Sequence, residues 1–162
     1  MINLKYESVV KSSYAPDRLE RWFGYNSNLQ SIKDGRHTVK LEDDIPAIFD
    51  RIKNTYFGDA DSMLMCYGLK PNSDTSIKPH RDHGCFIARA VMLNFGAAEY
   101  IEYNYDGTII NYDLNDGDVV EIDTKIIHAS RQYSEFRMNA TFRKLKPEFI
   151  PRIPKPIIGL PF

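Results

Sequence analysis

The chain has 162 residues and a formal net charge of -1, with 43% hydrophobic, 12% aromatic and 27% charged residues. This length fits a single domain over residues 1–162 with a substantial core, and the composition excludes a disordered chain. The near-neutral charge argues against a protein whose whole surface binds phosphate, although a local basic patch could still hold nucleic acid.

Cysteine use and apolar runs bear on the cellular setting. Cys66 and Cys85 are the only cysteines and form no Cys-x-x-Cys motif, so neither a disulfide framework nor a zinc knuckle is indicated. A reducing, cytoplasmic location is therefore expected. Residues 1–16 lack the apolar core of a signal peptide, and the best apolar run, residues 86–98, is too short to span a bilayer. We expect no membrane role.

The N-terminal segment, residues 1–60, starts with a strand or loop that stops at Pro16 and continues into a cluster of arginine and aromatic residues. The cluster contains Arg18, Trp22, Phe23 and Tyr25. Such residues can stack on a base or another planar substrate while guanidinium groups reach phosphates. Clustered aromatic residues also commonly fill a core. The sequence leaves both interpretations open.

Residues Ile45–Ile52 predict the clearest helix of the chain. The apolar residues at positions 45, 48, 49 and 52 share one helical face. Asp43 or Asp44 can cap this helix, and Pro46 fits its first turn. The helix is expected to end before Gly58.

The next segment, residues 61–146, predicts many short strands separated by turns. Asp106-Gly107 is a strong hairpin turn, and residues 115–118 form a second turn. Strands are predicted at Met63–Tyr67, Ile77–Asp82, Ala88–Phe95, Glu99–Tyr105, Thr108–Tyr112, Val119–Ile122, Ile126–Ser130 and Phe136–Lys144. This pattern indicates a mainly β fold with one or two flanking helices, arranged as a sandwich or barrel.

The last segment, residues 147–162, contains five prolines and is therefore predicted not to be helical. Its apolar residues predict a tail that lies on the body of the protein. An exposed proline-rich ligand for a partner is the alternative.

The segment His80-Arg81-Asp82 carries two metal-ligand side chains two residues apart. In a strand these two side chains project from the same face, while Arg81 points away. His128 lies in another short apolar run and can supply a third ligand. Two histidines and a carboxylate on one side of a metal, with the other positions open, suit a non-heme Fe(II) oxygenase. A zinc hydrolase on the same ligands would need a general base, and the facing of Glu121 is unknown from sequence.

The segment Arg137–Arg143 divides into a polar and an apolar row. In a strand, the residues at positions 137, 139, 141 and 143 face one way and those at 138, 140 and 142 face the other. A solvated edge strand gives the same pattern. An arginine pair beside Fe(II) would instead suit a dicarboxylate cosubstrate, because guanidinium binds carboxylate in a bidentate manner.

These motifs together resemble the AlkB-like family of Fe(II)- and 2-oxoglutarate-dependent dioxygenases. The resemblance covers about residues 18–144 and is most specific in Arg-x-Asn-x-Thr-x-Arg at residues 137–143. It also includes an arginine ahead of Phe23-Gly24, a helix with Ile-Pro, a strand ending in Tyr67, and Asp-Gly-Asp-Val before the distal histidine. Met65 stands where members of the family often have asparagine, and His83-Gly84 stand where several have a second acid.

The resemblance implies a double-stranded β-helix, or jelly roll, with the site between its sheets. It implies that Fe(II) is bound by His80, Asp82 and His128. It also implies that Arg137 pairs with the distal carboxylate of 2-oxoglutarate, that Tyr67 and Asn139 hydrogen-bond this cosubstrate, and that Arg143 lies near the metal. The residues of the N-terminal aromatic cluster, Arg18, Trp22, Phe23 and Tyr25, would then contact the substrate.

The activity that the resemblance implies uses O2 and 2-oxoglutarate to oxidise a substrate C–H bond with release of succinate and CO2. An N-methylated nucleobase in DNA or RNA would lose its methyl group in this way. A protein side chain or a small molecule is the alternative substrate. A jelly-roll binding module without turnover is the alternative from a different class of function. The chain is expected to act as a monomer.

Overall fold

The structure, a computed structural model, describes residues 10–11, 18–27, 39–71 and 77–150. Within these ranges, eleven strands form two antiparallel sheets with the topology of a jelly roll. The expected mainly β fold with a flanking helix is confirmed. No helix in the described ranges is long and apolar enough to cross a membrane.

The strands are numbered in chain order. Their bounds are β1 Val10–Lys11, β2 Arg18–Asn26, β3 Lys40–Leu41, β4 Ser62–Gly68, β5 Ile77–His80, β6 Phe86–Phe95, β7 Ala98–Tyr103, β8 Ile109–Leu114, β9 Val119–Asp123, β10 Ile127–Gln132 and β11 Arg137–Leu145.

The larger sheet has seven strands in the order β1-β2-β4-β11-β6-β9, with β3 paired to β2. In its centre, Asn139 of β11 lies opposite Cys66 of β4 and Asn94 of β6. Because directly opposed residues of antiparallel strands point to the same face, this register fixes which side chains face the smaller sheet. The smaller sheet has four strands in the order β5-β10-β7-β8.

The main hydrophobic core lies on the outer face of the larger sheet. Apolar side chains of β2, β4, β6 and β11 pack there against the helical segment, whose Phe49 and Phe57 are buried with Met63 and Phe142. Phe49 meets Phe142 edge to face, with ring centroids 6.3 Å apart. The inner face of the same sheet is left to line the space between the two sheets.

The helical segment differs in detail from the expectation. A 3₁₀ helix at Ala47–Phe49 leads into the α-helix α1, Asp50–Tyr56. Pro46 occupies the N-cap position and no side chain caps the helix, so the predicted capping by Asp43 or Asp44 is wrong. Ile48 is 64% exposed, because the tight 3₁₀ turn rotates it away from the face that Phe49 buries.

The two turns predicted between strands are confirmed. The Asn104 amide donates to the Thr108 carbonyl across the Asp106-Gly107 turn, where Gly107 has a φ of 85°. Gly117 in the second turn has a φ of 83°. Glycine adopts this left-handed conformation without steric cost, which explains both turn positions.

Three segments differ most clearly from the sequence predictions. The residues from Arg18 to Asn26 form a strand rather than an undefined cluster, and β5 ends at His80 instead of Asp82. Residues Pro147–Phe149 form a short 3₁₀ helix, which proline tolerates at a first position. The remainder of the proline-rich tail and most of the initial strand or loop lie outside the described residues.

A candidate metal centre in a cavity between the sheets

Three metal-ligand side chains meet at one end of the space between the sheets. The Nε2 atoms of His80 and His128 lie 3.7 and 3.5 Å from Asp82 Oδ1. All three candidate ligand atoms lie within 4.8 Å of one another. The three residues that the sequence singled out are therefore brought together.

The backbone of the smaller sheet explains this convergence. His80 and His128 are direct partners across β5 and β10, which places both imidazoles on the same face, with ring centroids 4.6 Å apart. Asp82 follows the strand, and its amide donates to the Thr124 carbonyl at 3.3 Å. The loop, rather than strand alternation, therefore directs the carboxylate toward the two histidines.

Backbone carbonyls fix which nitrogen of each histidine faces the centre. His80 Nδ1 lies 2.8 Å from the Lys78 carbonyl oxygen, and His128 Nδ1 lies 2.9 Å from that of Ile126. A carbonyl oxygen can only accept, so each Nδ1 carries the proton and each Nε2 presents a lone pair. Three acceptor atoms then face one another, and a shared cation would relieve their repulsion.

The charge state of the centre also favours a cation. Burial by itself would raise the pKa of Asp82, but the Arg143 guanidinium holds this pKa well below its usual value. Arg143 Nε donates to Asp82 Oδ2 at 2.7 Å. Burial lowers the pKa of His80. An ionised carboxylate and neutral imidazoles are the forms that bind metals.

The donor set fits a divalent transition metal with open positions. Neighbouring ligands about 2.1 Å from a metal are about 3 Å apart, so the triad would close by about half an ångström or more around the ion. The triad residues could therefore hold a metal ion.

The Arg143 side chain is itself held in place by aromatic rings. Its guanidinium lies 5.9 Å from the Trp22 ring and 6.0 Å from the Phe86 ring, and these two rings stack at 6.2 Å. Trp22, predicted to contact substrate, thus lines the cavity and also supports the arginine that orients Asp82.

The centre opens into a cavity of about 490 Å³ between the sheets. Its lining includes Asn139, Thr141 and Arg143 of β11, three of the four residues of the predicted polar row. This row is therefore not a solvated edge, because β11 lies between β4 and β6. The cavity has the size of a typical small-molecule site.

Arg137, the fourth residue of the row, lies just behind the cavity wall. It is 4% exposed, and its Nε and Nη1 donate to Asn94 Oδ1 at 2.8 Å and Ser130 Oγ at 3.1 Å. Its Nη2 lies 3.9 Å from Met92 Sδ. No carboxylate of the described residues pairs with it, and burial lowers its pKa to about 10. Ser130 and Met92 line the cavity, so Arg137 is one side chain away from it.

Besides Arg137, three predicted site residues do not line the cavity. Tyr67 lies opposite Met138 in the register of β4 and β11, on the outer face, where it packs beside Met65 and Phe136. Phe23 is buried in the core on the outer face of the larger sheet. This position agrees with the interpretation that clustered aromatic residues fill a core. Tyr25 packs against a small cluster containing Cys85, Phe86 and Leu145. Arg18 does line the cavity.

The sequence interpretation missed Ser130, Asn94, Cys66 and Tyr100. Ser130 follows His128 by two residues in β10, so strand alternation alone could have placed it on the same face. Tyr100 is its partner in β7. The Tyr100 hydroxyl is buried without a hydrogen-bond partner in the described part of the chain. No motif indicated the other residues, because their positions depend on pairing between distant strands.

Glu121 does not supply a base for hydrolysis. Its carboxylate is exposed on the outer face and pairs with Arg89, with a shortest distance of 3.0 Å. Within the described residues, the acids that line the cavity are Glu20 and the candidate ligand Asp82. A zinc hydrolase on this triad therefore has no support from the position of Glu121.

Comparisons with known proteins bear on the fold. No protein-family model and no curated protein matches the sequence. The coconut allergen cocosin matches over 87% of this chain and 29% of its own, with a TM-score of 0.53 and 12% identity. The Momordica charantia 7S globulin matches over 86% of this chain and 33% of its own, with a TM-score of 0.51 and 13% identity. The Drosophila melanogaster CENP-C cupin domain matches over 51% of this chain and 59% of its own, with a TM-score of 0.43 and 14% identity.

The chain thus spans less than two thirds of the length of each of these proteins. At such low identity, the likeness to cocosin and the globulin supports the jelly-roll fold alone, and the third score is too low to argue from. The function has to be argued from the site.

Proposed function

We propose that the chain is an Fe(II)- and 2-oxoglutarate-dependent dioxygenase of the AlkB-like type. The observation that carries this proposal is the pairing of two features in one place. A two-histidine, one-carboxylate triad with both Nε2 lone pairs directed inward lies at one end of a cavity. A buried arginine without a described carboxylate partner lies beside the same cavity.

The triad residues would hold Fe(II) beside the cavity. Bound Fe(II), with 2-oxoglutarate and O2, supplies the chemistry that oxidises a C–H bond and releases succinate and CO2. Asp82 stays ionised through Arg143, and the two backbone carbonyls hold both imidazoles in the metal-binding tautomer.

Arg137 would hold the distal carboxylate of the cosubstrate. Its present acceptors at Nη1 and Nη2, the Ser130 hydroxyl and the Met92 sulfur, are neutral and weak compared with a carboxylate. Asn139 lines the cavity between the two ends and can hydrogen-bond the same ligand. An apolar part of the cavity wall limits the access of water and consists of Leu64, Met92 and Ile122.

The substrate class is proposed to be an N-methylated nucleobase in DNA or RNA. Two exposed cations, Lys78 and Arg81, lie at the cavity beside His83. Arg81 also faces the ring of Tyr105, which is 78% exposed, at 5.9 Å. Cations and an open aromatic face are features that bind phosphates and bases. A hydroxylated N-methyl group would leave as formaldehyde.

Thermal unfolding without oxygen tests the metal and cosubstrate sites, with Mn(II) replacing Fe(II). A ligand at a hundred times its dissociation constant adds about 2.7 kcal/mol, which is about 5 °C or more for a chain of this size. We expect a shift that needs both Mn(II) and 2-oxoglutarate. Asp82→Ala should lose the whole shift, and Arg137→Met only the part due to 2-oxoglutarate.

Matched controls are available on the surface. Asp113→Ala and Arg131→Met remove the same groups from exposed positions of the smaller sheet and should keep the full shift. Absence of any shift in the wild type would overturn the oxygenase proposal and leave a jelly-roll binding module without turnover as the better description.

Succinate formation tests the substrate class. Single-stranded DNA and RNA carrying N-methylated bases should raise succinate formation above the level with unmodified strands. If no methylated strand does so while Mn(II) and 2-oxoglutarate still bind, the nucleobase is wrong, and protein side chains and small molecules become the substrates to test.

A further inference from the structure

Buried donors without acceptors mark a further binding position. In the described part of the chain, the buried side-chain nitrogen and oxygen atoms without a hydrogen-bond partner are Arg18 Nε and Nη1, Arg21 Nε and the Tyr100 hydroxyl. Arg21 extends from the other face of β2 and ends on Asp43 at 2.6 Å. Arg18 and Tyr100 instead line the cavity that holds the metal triad.

In the strand register, the backbone of Arg18 lies six residues along the sheet from the level of Arg143, which contacts the triad. Arg18 opposes Gly68 of β4, which on its other side opposes Arg137 of β11. The two arginines thus lie in one row of the sheet, separated by a residue without a side chain. Arg18 Nη2 turns back along the sheet and contacts Cys66 Sγ at 2.6 Å. This places the guanidinium about two residues, or about 7 Å, closer to the metal than its own backbone.

The guanidinium of Arg18 is buried, but two of its three nitrogens have no hydrogen-bond acceptor. Arg18 is 6% exposed, and the Glu20 carboxylate lies 3.5 Å from its Nη2. The thiol of Cys66 is a weak acceptor, and burial raises its pKa, so it is neutral. The Nε and Nη1 donors remain without an acceptor. Leaving such buried donors unsatisfied is costly, so an incoming acceptor would be bound favourably.

The charges around Arg18 also call for an anion. Among the described residues, Arg18 and Arg137 contribute two positive charges and Glu20 contributes one negative charge, which leaves a net charge of about +1. One carboxylate would neutralise it.

We propose that Arg18 binds the distal carboxylate of 2-oxoglutarate together with Arg137, and that it makes the cavity selective for 2-oxo acids with a second carboxylate. This inference rests on the proposed function. It assigns to Arg18 a cosubstrate role in place of the substrate contact expected from the sequence.

The test compares two ligands that differ only in the distal carboxylate. Dissociation constants of 2-oxoglutarate and 2-oxopentanoate are measured by calorimetry without oxygen on the Mn(II)-loaded protein, for the wild type, Arg18→Met, Arg18→Lys and the control Arg21→Met. We expect Arg18→Met to weaken 2-oxoglutarate at least about tenfold and 2-oxopentanoate by less than about twofold. Arg18→Lys should lie between, because lysine keeps the charge but not the several planar N–H donors of the guanidinium. Arg21→Met should match the wild type.

The outcomes separate this inference from the proposed function. Wild-type binding of 2-oxoglutarate that Arg18→Met and Arg18→Lys leave unchanged would overturn the inference alone and return Arg18 to the substrate. Equal weakening of both ligands in the folded Arg18→Lys variant would show that Arg18 only shapes the cavity, which also overturns it. Failure of the wild type to bind either acid would overturn both.

Discussion

The buried hydroxyl of Tyr100 offers a direct test of how the cavity is built. Tyr100 is 2% exposed, and its ring lies between His128 and Tyr112, with centroid distances of 5.7 and 6.1 Å. Its hydroxyl has no hydrogen-bond partner among the described residues, and burial raises its pKa. The change Tyr100→Phe removes this oxygen and keeps the ring.

The expected gain follows from the cost of the unsatisfied group. An unpaired buried hydroxyl costs about 1 to 3 kcal/mol, and the packing of the ring is unchanged by the substitution. Tyr100→Phe should therefore raise the free energy of unfolding of the ligand-free chain by about 1 kcal/mol. For a chain of 162 residues, this corresponds to about 2 to 4 °C in the unfolding midpoint.

Urea unfolding and thermal unfolding of the metal-free protein measure this gain. Tyr112→Phe is the control, because the Tyr112 side chain is 41% exposed and its hydroxyl can be hydrated in either state. The control should change stability by less than about 0.5 kcal/mol. A loss of 1 kcal/mol or more in Tyr100→Phe would refute the reasoning, since the hydroxyl would then have a stabilising partner.

Three further predictions concern pH and backbone conformation. Burial alone would raise the pKa of Asp82, but the neighbouring Arg143 guanidinium lowers it more. The stabilising contribution of this ionised carboxylate is complete above about pH 4 and is lost as the pH falls further, so Asp82→Asn should flatten the acid side of a midpoint-versus-pH curve. Burial lowers the pKa of His80, so Mn(II) affinity measured by calorimetry should fall from pH 7 to pH 6 by less than the roughly tenfold loss expected of two ordinary histidine ligands. Gly24 has a φ of 63°, and an added Cβ would collide with the Asp61 carbonyl. Gly24→Ala should therefore lower the free energy of unfolding in urea by more than about 2 kcal/mol. The control Gly107→Ala has a φ of 85° but open space around the added Cβ, so it should lower the free energy of unfolding by about 1 kcal/mol.

Local sequence patterns were enough to predict most of the strands and to single out the three side chains that meet at the candidate metal centre. Strand alternation and glycine turns act within a few residues, so β4 and the turns at Gly107 and Gly117 could be located from sequence. The histidines of the triad also needed only the pairing of two short strands. The strand character of β2 was missed, because its many aromatic and charged residues hide the alternation.

Tyr67 and Asn139 lie on opposite faces of the larger sheet, which the sequence did not predict. Each residue lies in a correctly predicted strand, but the register aligns Asn139 with Cys66 and Met138 with Tyr67. A shift of one residue in this pairing would exchange the two faces. The register results from packing between segments about 70 residues apart, and the local pattern does not contain it.

The charges along the cavity connect the metal centre to the choice of ligand. At the metal end, Asp82 and Arg143 cancel, so a divalent ion on neutral histidines would leave a charge of about +2. The far end carries about +1, from Arg18 and Arg137 against the nearby carboxylate of Glu20. A ligand with one carboxylate at each end neutralises the far end and half of the metal end. A monocarboxylate would leave a buried guanidinium uncompensated, which is costly where water is excluded. With the proposed metal ion bound, these charges would favour a dicarboxylate as the second ligand.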